Sequence, residues 1–236
     1  MKKSITNKPP TVAAELATQW QQLAISRSNI YGLLALIYRD VPAPDTISLL
    51  KEPKLAKTLE SLGFNFTETL SGDIEKVTDS LALQYTRTFI GPGPHISPYA
   101  SVHLEKDSQL WGDSTVWVKK FIDATGLTFT ENAGGIPDHI AIELELMQRL
   151  ADHQALLCSQ ILTTSKNSKT IEDQLAKCID AQKKFLDEHL NQWAPMLCEK
   201  ILNASDSQFY QKVAKLTLTV ISADIDHINT IAKILK

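Results

Sequence analysis

The chain has 236 residues, 43% of them hydrophobic, a formal net charge of -3 and a pI near 6.1. That length and apolar content are enough for one substantial core, and the mildly acidic balance excludes recognition of nucleic acid or an anionic membrane through bulk charge. The longest near-apolar stretch, Ile30 to Tyr38, is too short to span a bilayer, and no apolar run follows the basic start MKKSITNKPP, so a cytoplasmic protein without stable membrane insertion is expected.

Residues 1 to 10 read as a disordered tail ending in Pro9-Pro10, and residues 11 to 236 as a single all-helical domain. From Thr11 to about Arg39, the apolar positions Val12, Leu16, Trp20, Leu23, Ile30, Leu33, Leu34 and Ile37 recur at helical spacing, with Ser26 to Asn29 a place for a break into two helices. Pro42 and Pro44 end that run; Asp45 is then placed to cap a short helix, and Pro53 to start another that stops near Gly63. Ser71-Gly72-Asp73 opens a helix with Ile74, Val77, Leu81, Tyr85 and Phe89 on one face.

That helix leads into Phe89 to Ser101, FIGPGPHISPYAS, where Gly91, Pro92, Gly93, Pro94 and Pro98 exclude any regular helix or central strand. A rigid, partly apolar loop between long amphipathic segments is a place to bind. Beyond it, Trp111-Gly112-Asp113-Ser114 reads as a turn into a helix closed by Gly126. Leu127 to Thr130 could be extended but lacks a strand partner, and Asn132 to Gly135 form a second flexible joint. Pro137 suits the first turn of a helix to about Thr164, apolar on two faces and hence central and buried. After a polar break at Ser165 to Ser168, helices at Ile171 to Leu190, Pro195 to Leu202 and Ser207 to the end complete an all-α bundle of about nine or ten helices.

Asp138-His139 sits at the mouth of the central helix. The plain reading is an acid favoured by the helix dipole beside a surface histidine; the functional reading is a carboxylate and an imidazole held on a rigid helix end to meet a cationic ligand. Glu143, four residues past His139, is placed to orient it or to be solvated. A metal is not expected, because the lone Asp224-x-x-His227 is the nearest imitation of the paired Glu-x-x-His motifs of bundle di-iron sites. Cys158, Cys178 and Cys198, with no C-x-x-C pair, read as buried, inert thiols. No phosphate-binding or nucleophile motif occurs, Pro92 and Pro94 remove amides that a phosphate loop would donate, and no cofactor is expected. The aromatics Tyr85, Phe89, Tyr99, Trp111 and Trp117 read mostly as core, yet an apolar surface rimmed by Glu105, Asp107, Asp113, Glu131 and Asp138 would suit a hydrophobic, basic peptide.

The runs Tyr85-Thr86-Arg87-Thr88-Phe89-Ile90-Gly91-Pro92, Ser97-Pro98-Tyr99-Ala100-Ser101-Val102, Leu110-Trp111-Gly112-Asp113-Ser114 and Pro137-Asp138-His139, with a closing Phe185-Leu186-Asp187-Glu188-His189-Leu190 and Trp193, resemble in order and spacing the TorD/DmsD family of redox-enzyme maturation chaperones. The resemblance is specific over roughly residues 80 to 195. It implies a TorD-like helical chaperone, not an enzyme, that binds the twin-arginine signal peptide of a molybdoenzyme precursor and delays export until the cofactor is inserted. Its peptide-binding surface would map onto Tyr85, Phe89, Gly91, Pro92, Pro98, Tyr99, Ser101, Trp111, Pro137, Asp138 and His139. Where the family usually has a glutamate shortly before the proline, this chain reads Gly134-Gly135-Ile136. Guanine-nucleotide or pterin binding, proposed for relatives, has no support from the sequence itself. Three other readings stand beside it: a chaperone for the mature part of a differently targeted metalloenzyme, a hydrolase using His139 with Asp138 or Glu143, and a structural adaptor. Either a monomer or a domain-swapped dimer fits long helices joined by segments such as Glu131 to Gly135.

Overall fold

A computed structural model describes residues 12–126, 135–163, 168–204 and 206–235. Among them are ten α-helices: α1 (Val12–Arg39), α2 (Pro44–Lys51), α3 (Pro53–Ser61), α4 (Ile74–Tyr85), α5 (Ala100–Leu104), α6 (Asp113–Thr125), α7 (Ile140–Thr163), α8 (Ser168–Phe185), α9 (Asn191–Ala204) and α10 (Gln208–Ile234). Two π-helical turns, Thr86–Ile90 and Leu186–Leu190, continue α4 and α8. The fold is all-α, as expected; no strand occurs among the described residues. The tail at 1–10, the stretch 127–130, the joint at 132–134 and the break at 165–167 lie outside the described residues.

Local chemistry explains most of the boundaries. Asp73 caps α4 by accepting from the amides of Glu75 and Lys76, at 3.1 and 3.3 Å. Gly126 closes α6 in the left-handed conformation, φ 66°. Asp45 is not a cap: Pro44 takes the first helical position after Ala43, and Asp45 sits in the first turn, where the dipole still favours it. The central helix starts at Ile140 rather than Pro137, because Asp138 and His139 are bound outward to another segment. Pro195 does not begin a helix but lies inside α9, where burial of Trp193, Ala194, Leu197 and Cys198 outweighs one lost backbone hydrogen bond.

The core is built on α1 against α7. Ala17, Ala24, Tyr31 and Tyr38 recur every seven residues and are all buried, and Ile140, Leu144, Met147, Ala151 and Cys158, at heptad-compatible steps of three, four or seven, are buried on α7. Arg27 meets Gln154, Gly32 meets Gln148 and Arg39 meets Glu145, so the two helices run antiparallel. They pass closely: a Cβ at Gly32 would come to 2.8 Å from the Gln148 amide nitrogen. This packing also carries α1 unbroken through Ser26 to Asn29, with Ser28 buried.

Two buried polar groups tie the remaining helices to this pair. Arg27 reaches Asp224 on α10 through both its Nε and NH2 groups, Gln154 on α7 at 2.8 Å and Gln182 on α8 at 2.6 Å, while the Tyr31 hydroxyl donates to Asp224 at 2.6 Å. Asp224 is thus one half of an ion pair. Glu143, fully buried, accepts from the Trp193 indole at 2.9 Å and pairs with His189 Nε2 at 2.7 Å. Burial pushes the Glu143 carboxyl up, and the His189 partner opposes it. Glu143 is therefore neither solvated nor an orienter of His139. Trp117 stacks on His189 with ring centres 5.0 Å apart.

Removing one partner of a buried ion pair strands the other in a low dielectric. Asp224→Ala should lower unfolding stability in urea by about 3–5 kcal/mol, and a loss below about 1 kcal/mol would show the network to be dispensable. Glu143→Ala, which orphans the Trp193 and His189 donors, should lose about 2–4 kcal/mol in the same measurement, and Glu143→Gln clearly less.

Candidate functional site

The loop begins with a change of helical pitch. In the π turn after α4 the Gly91 amide donates to the Thr86 carbonyl at 2.8 Å, which rotates Thr88 and Phe89 inward and leaves Ile90 59% exposed. Gly91 and Gly93 take φ of 96° and 109°, a region that a side chain would strain. The Ile96 amide then returns to the Thr88 carbonyl at 2.8 Å and closes the loop. Phe89 packs among Tyr85, Tyr210 and Tyr38, with centroids 5.1, 5.2 and 6.1 Å away. The Tyr85 hydroxyl donates to the Tyr38 carbonyl at 3.2 Å, and burial pushes its pKa up to about 12, the Asp40 charge adding to the effect. Tyr85 and Phe89 therefore lie beneath the loop and hold it, rather than on its surface.

The far end of the loop is joined to the start of α7. The Ala100 amide donates to the Asp138 carbonyl and the Ile140 amide to the Pro98 carbonyl, both at 2.9 Å, forming a short antiparallel bridge between Tyr99 and His139. The Asp138 carboxylate accepts the Ser101 amide at 2.7 Å and so caps α5 from another segment. Asp138 is fully buried, and its Oδ1 is enclosed with no partner among the described residues. It is not the exposed charge reader that its residue type suggests, because its charge is spent on a helix terminus. Gly91, Pro98 and Ser101 are buried with it.

Tyr99, Pro137 and His139 are half-buried around this bridge, and the rings of Tyr99 and His139 meet edge to face at 4.8 Å. His139 Nδ1 accepts the Ala141 amide at 3.1 Å, which leaves the proton on Nε2. Burial and the nearby Arg39 guanidinium depress its pKa to about 4 against the opposing pull of Asp138. His139 is thus a neutral imidazole with one N–H to offer, and burial raises the Tyr99 hydroxyl above its ordinary value, helped by Asp138.

The other end of α5 carries a second exposed feature. Glu105 accepts from the Ser114 amide and hydroxyl at 3.0 and 2.9 Å, which caps α6 and, through the Ser114 amide foremost, lowers the carboxyl pKa. A Cβ at Gly112 would lie 2.4 Å from the Glu105 side chain, so a larger residue there would have to displace this cap. Leu110 and Trp111 just before it are 48% and 64% exposed, and Trp111 holds φ 68°, a costly conformation for a bulky residue. The five residues of α5 and the segment 105–110 link this display to the Tyr99–His139 bridge. Of the expected acidic rim, Asp107 and Asp113 are exposed, Glu105 and Asp138 are engaged, and Glu131 lies outside the described residues.

Behind the loop, a cleft of about 560 Å³ opens against α9, lined by Ile96, Val102, His103, Met196 and Lys200 among others. His103 Nε2 donates to the Ser97 carbonyl at 2.7 Å and Nδ1 accepts from Lys200 at 3.2 Å, with burial lowering its pKa. No group of three metal-ligating side chains occurs among the described residues. The cysteines are buried, their thiols pushed up by desolvation to about 11 for Cys158 and Cys178 and about 12 for Cys198. Sequence reading overlooked Tyr38, Asp40 and Tyr210, which complete the floor and flank of the loop. The only signal was the position of Tyr38 and Asp40, at the end of the first helical run just before Pro42 and Pro44.

Comparison with known proteins matches this arrangement to one family. The nitrate reductase delta subunit family matches residues 52–199, which hold the Gly-Pro loop, the Trp111 turn and the Asp138-His139 pair. The chain is 26% identical over 218 residues to the "Probable Tat proofreading chaperone DmsD" of Haemophilus influenzae, covering 88% of this chain and 96% of that protein. It is 29% identical over 150 residues to "Chaperone protein TorD" of Aliivibrio fischeri, covering 61% and 62%, and 28% identical over 127 residues to the Vibrio cholerae protein of that name, covering 54% and 52%. No helix among the described residues is long and apolar enough to cross a membrane. The family is one of chaperones rather than enzymes, and the chain belongs to it: the nitrate reductase delta subunit family, which includes TorD and DmsD.

Proposed function

We propose that this protein is a cytoplasmic chaperone that binds the twin-arginine signal peptide of a molybdoenzyme precursor and keeps the precursor from export until its cofactor is inserted. The observation that carries the reading is the Tyr99–His139 bridge, which joins the Gly-Pro loop to the start of α7 and leaves the rings of both residues partly open to solvent. The matched relative named a Tat proofreading chaperone supports it. Pro92, Tyr99, Trp111, Pro137 and His139 would touch the peptide; Tyr85, Phe89, Gly91, Pro98, Ser101 and Asp138 would hold that surface in shape. An extended peptide suits such a surface, since at about 3.3 Å per residue a few residues would cover the length of the five-residue α5 that starts at the bridge. Exposed aromatic and aliphatic side chains at Trp111, Leu110 and Ile90 would take the apolar part of a leader.

Calorimetric titration with a synthetic twin-arginine leader peptide should show saturable binding that weakens when the pair is replaced by Lys-Lys; equal binding of both peptides, or none, would refute the reading. Trp111→Ala should weaken that binding by about tenfold while leaving the urea midpoint unchanged, since the ring is mostly in solvent. The pH dependence follows from His139. Its folded pKa near 4 lies below the ordinary histidine value, so it stays neutral and does not repel a guanidinium across the range where a normal histidine would charge. Affinity should therefore be flat between about pH 8 and 6, whereas a loss on crossing about pH 6.5 would mean that His139 titrates normally.

A further inference from the structure

A peptide carrying two guanidinium groups needs an accessible carboxylate, and the acid that the sequence offers for this, Asp138, is enclosed. The antiparallel register of α1 and α7 supplies another. Arg27 opposite Gln154, Gly32 opposite Gln148 and Arg39 opposite Glu145 bring the C-terminal end of α1 to the N-terminal end of α7, where His139 stands. The next residue after α1 is Asp40, exposed at the first bend.

Its surroundings place it beside the loop as well. The Tyr85 hydroxyl reaches the Tyr38 carbonyl two residues before Asp40, at 3.2 Å. Burial first, and then the Asp40 charge, raises Tyr85, while burial, Tyr85 and Asp40 together raise Tyr210, so the carboxylate acts on both rings under Phe89. Arg39, the nearest cation in sequence, does not neutralise it: that guanidinium is held by Glu145, which also binds Arg149 at 2.6 Å. Asp40 Oδ1 accepts the Val41 amide at 2.7 Å, and Oδ2 has no hydrogen-bond or ion-pair partner among the described residues. It is a fixed, exposed and unpaired carboxylate beside the tyrosines that form the floor of the loop.

We propose that Asp40 is the residue that reads arginine in the bound peptide, accepting a guanidinium N–H through Oδ2 while the apolar part of the peptide lies along the loop and α5. This rests on the peptide-binding reading above. Asp138 then acts as a positioning residue, through α5, and not as a contact. Lysine would serve less well, because a point ammonium cannot give a carboxylate the paired geometry of a guanidinium.

Calorimetry on the full chain separates the possibilities, using a synthetic leader with an Arg-Arg pair and its Gln-Gln counterpart. The unmodified protein should prefer the Arg-Arg peptide; Asp40→Asn should weaken that peptide about tenfold and the Gln-Gln peptide hardly at all, removing most of the preference. Asp45→Asn, a change of the same charge on an exposed residue of α2, should leave the preference intact. A preference that survives Asp40→Asn overturns the assignment of Asp40 and leaves the peptide-binding reading standing. An unmodified protein that binds neither peptide, or both alike, overturns both. Asp40→Asn removes charge without volume from a solvated side chain, so unchanged circular dichroism and urea midpoint should accompany the loss.

Discussion

The carboxylate of Asp138 is the constraint on which the surface depends. A helix of only five residues, α5, cannot nucleate itself, since one turn fixes several backbone angles for little hydrogen bonding. Asp138 supplies what α5 lacks, taking the Ala100 amide on its carbonyl and the Ser101 amide on its side chain. Both ends of α5 are then tied, because Glu105 at its C-terminal end caps α6 in turn. Two acidic side chains distant in sequence are thus used as internal fasteners, and the loop, the bridge and the Trp111 turn inherit their positions from them.

This explains why a short Pro-Asp-His sequence can matter to a binding surface without its acid touching a ligand. His139 is fixed by its Nδ1 bond and by Tyr99; Tyr99 is fixed by the bridge; the bridge exists because Asp138 faces inward. The same logic applies deeper in the core. His189 and Trp193, which close the family-like pattern near the C-terminus, are the two donors that satisfy buried Glu143 on the first turn of α7. The helix that presents His139 is thereby anchored from the opposite side, and the ring of Trp193 in turn lies 5.5 Å from His103 on the back of the loop.

The parts of this architecture that were legible in the sequence are those decided locally. Glycine and proline forbid a helix over residues 91–98 whatever surrounds them, Asp73 caps the helix that follows it, and the periodicity of residues 140–158 on two faces marks a buried helix. What could not be read depends on partners far along the chain. Asp138 and Glu143 look like solvated acids until Ser101, His189 and Trp193 are brought to them, and Phe89, at the end of an apolar helix face and the start of the loop, has no visible partner until the π turn rotates it onto Tyr210. The end of α1 is hidden for the same reason: only the α1–α7 register brings Arg39 to Glu145 and to the start of α7, and only the folded chain sets the Asp40 charge near Tyr85 and Tyr210.

The tryptophans make a further use of this geometry. Trp193 is wholly enclosed, Trp20 and Trp117 are partly covered, and Trp111 is 64% exposed at the α5–α6 turn. A collisional quencher in the solvent reaches Trp111 far more readily than Trp193, so the emission of the protein divides into an accessible fraction dominated by the display segment and a shielded fraction from the core. The fold therefore carries its own optical marker at one end of α5, one that reports whether that end is covered without any label being attached.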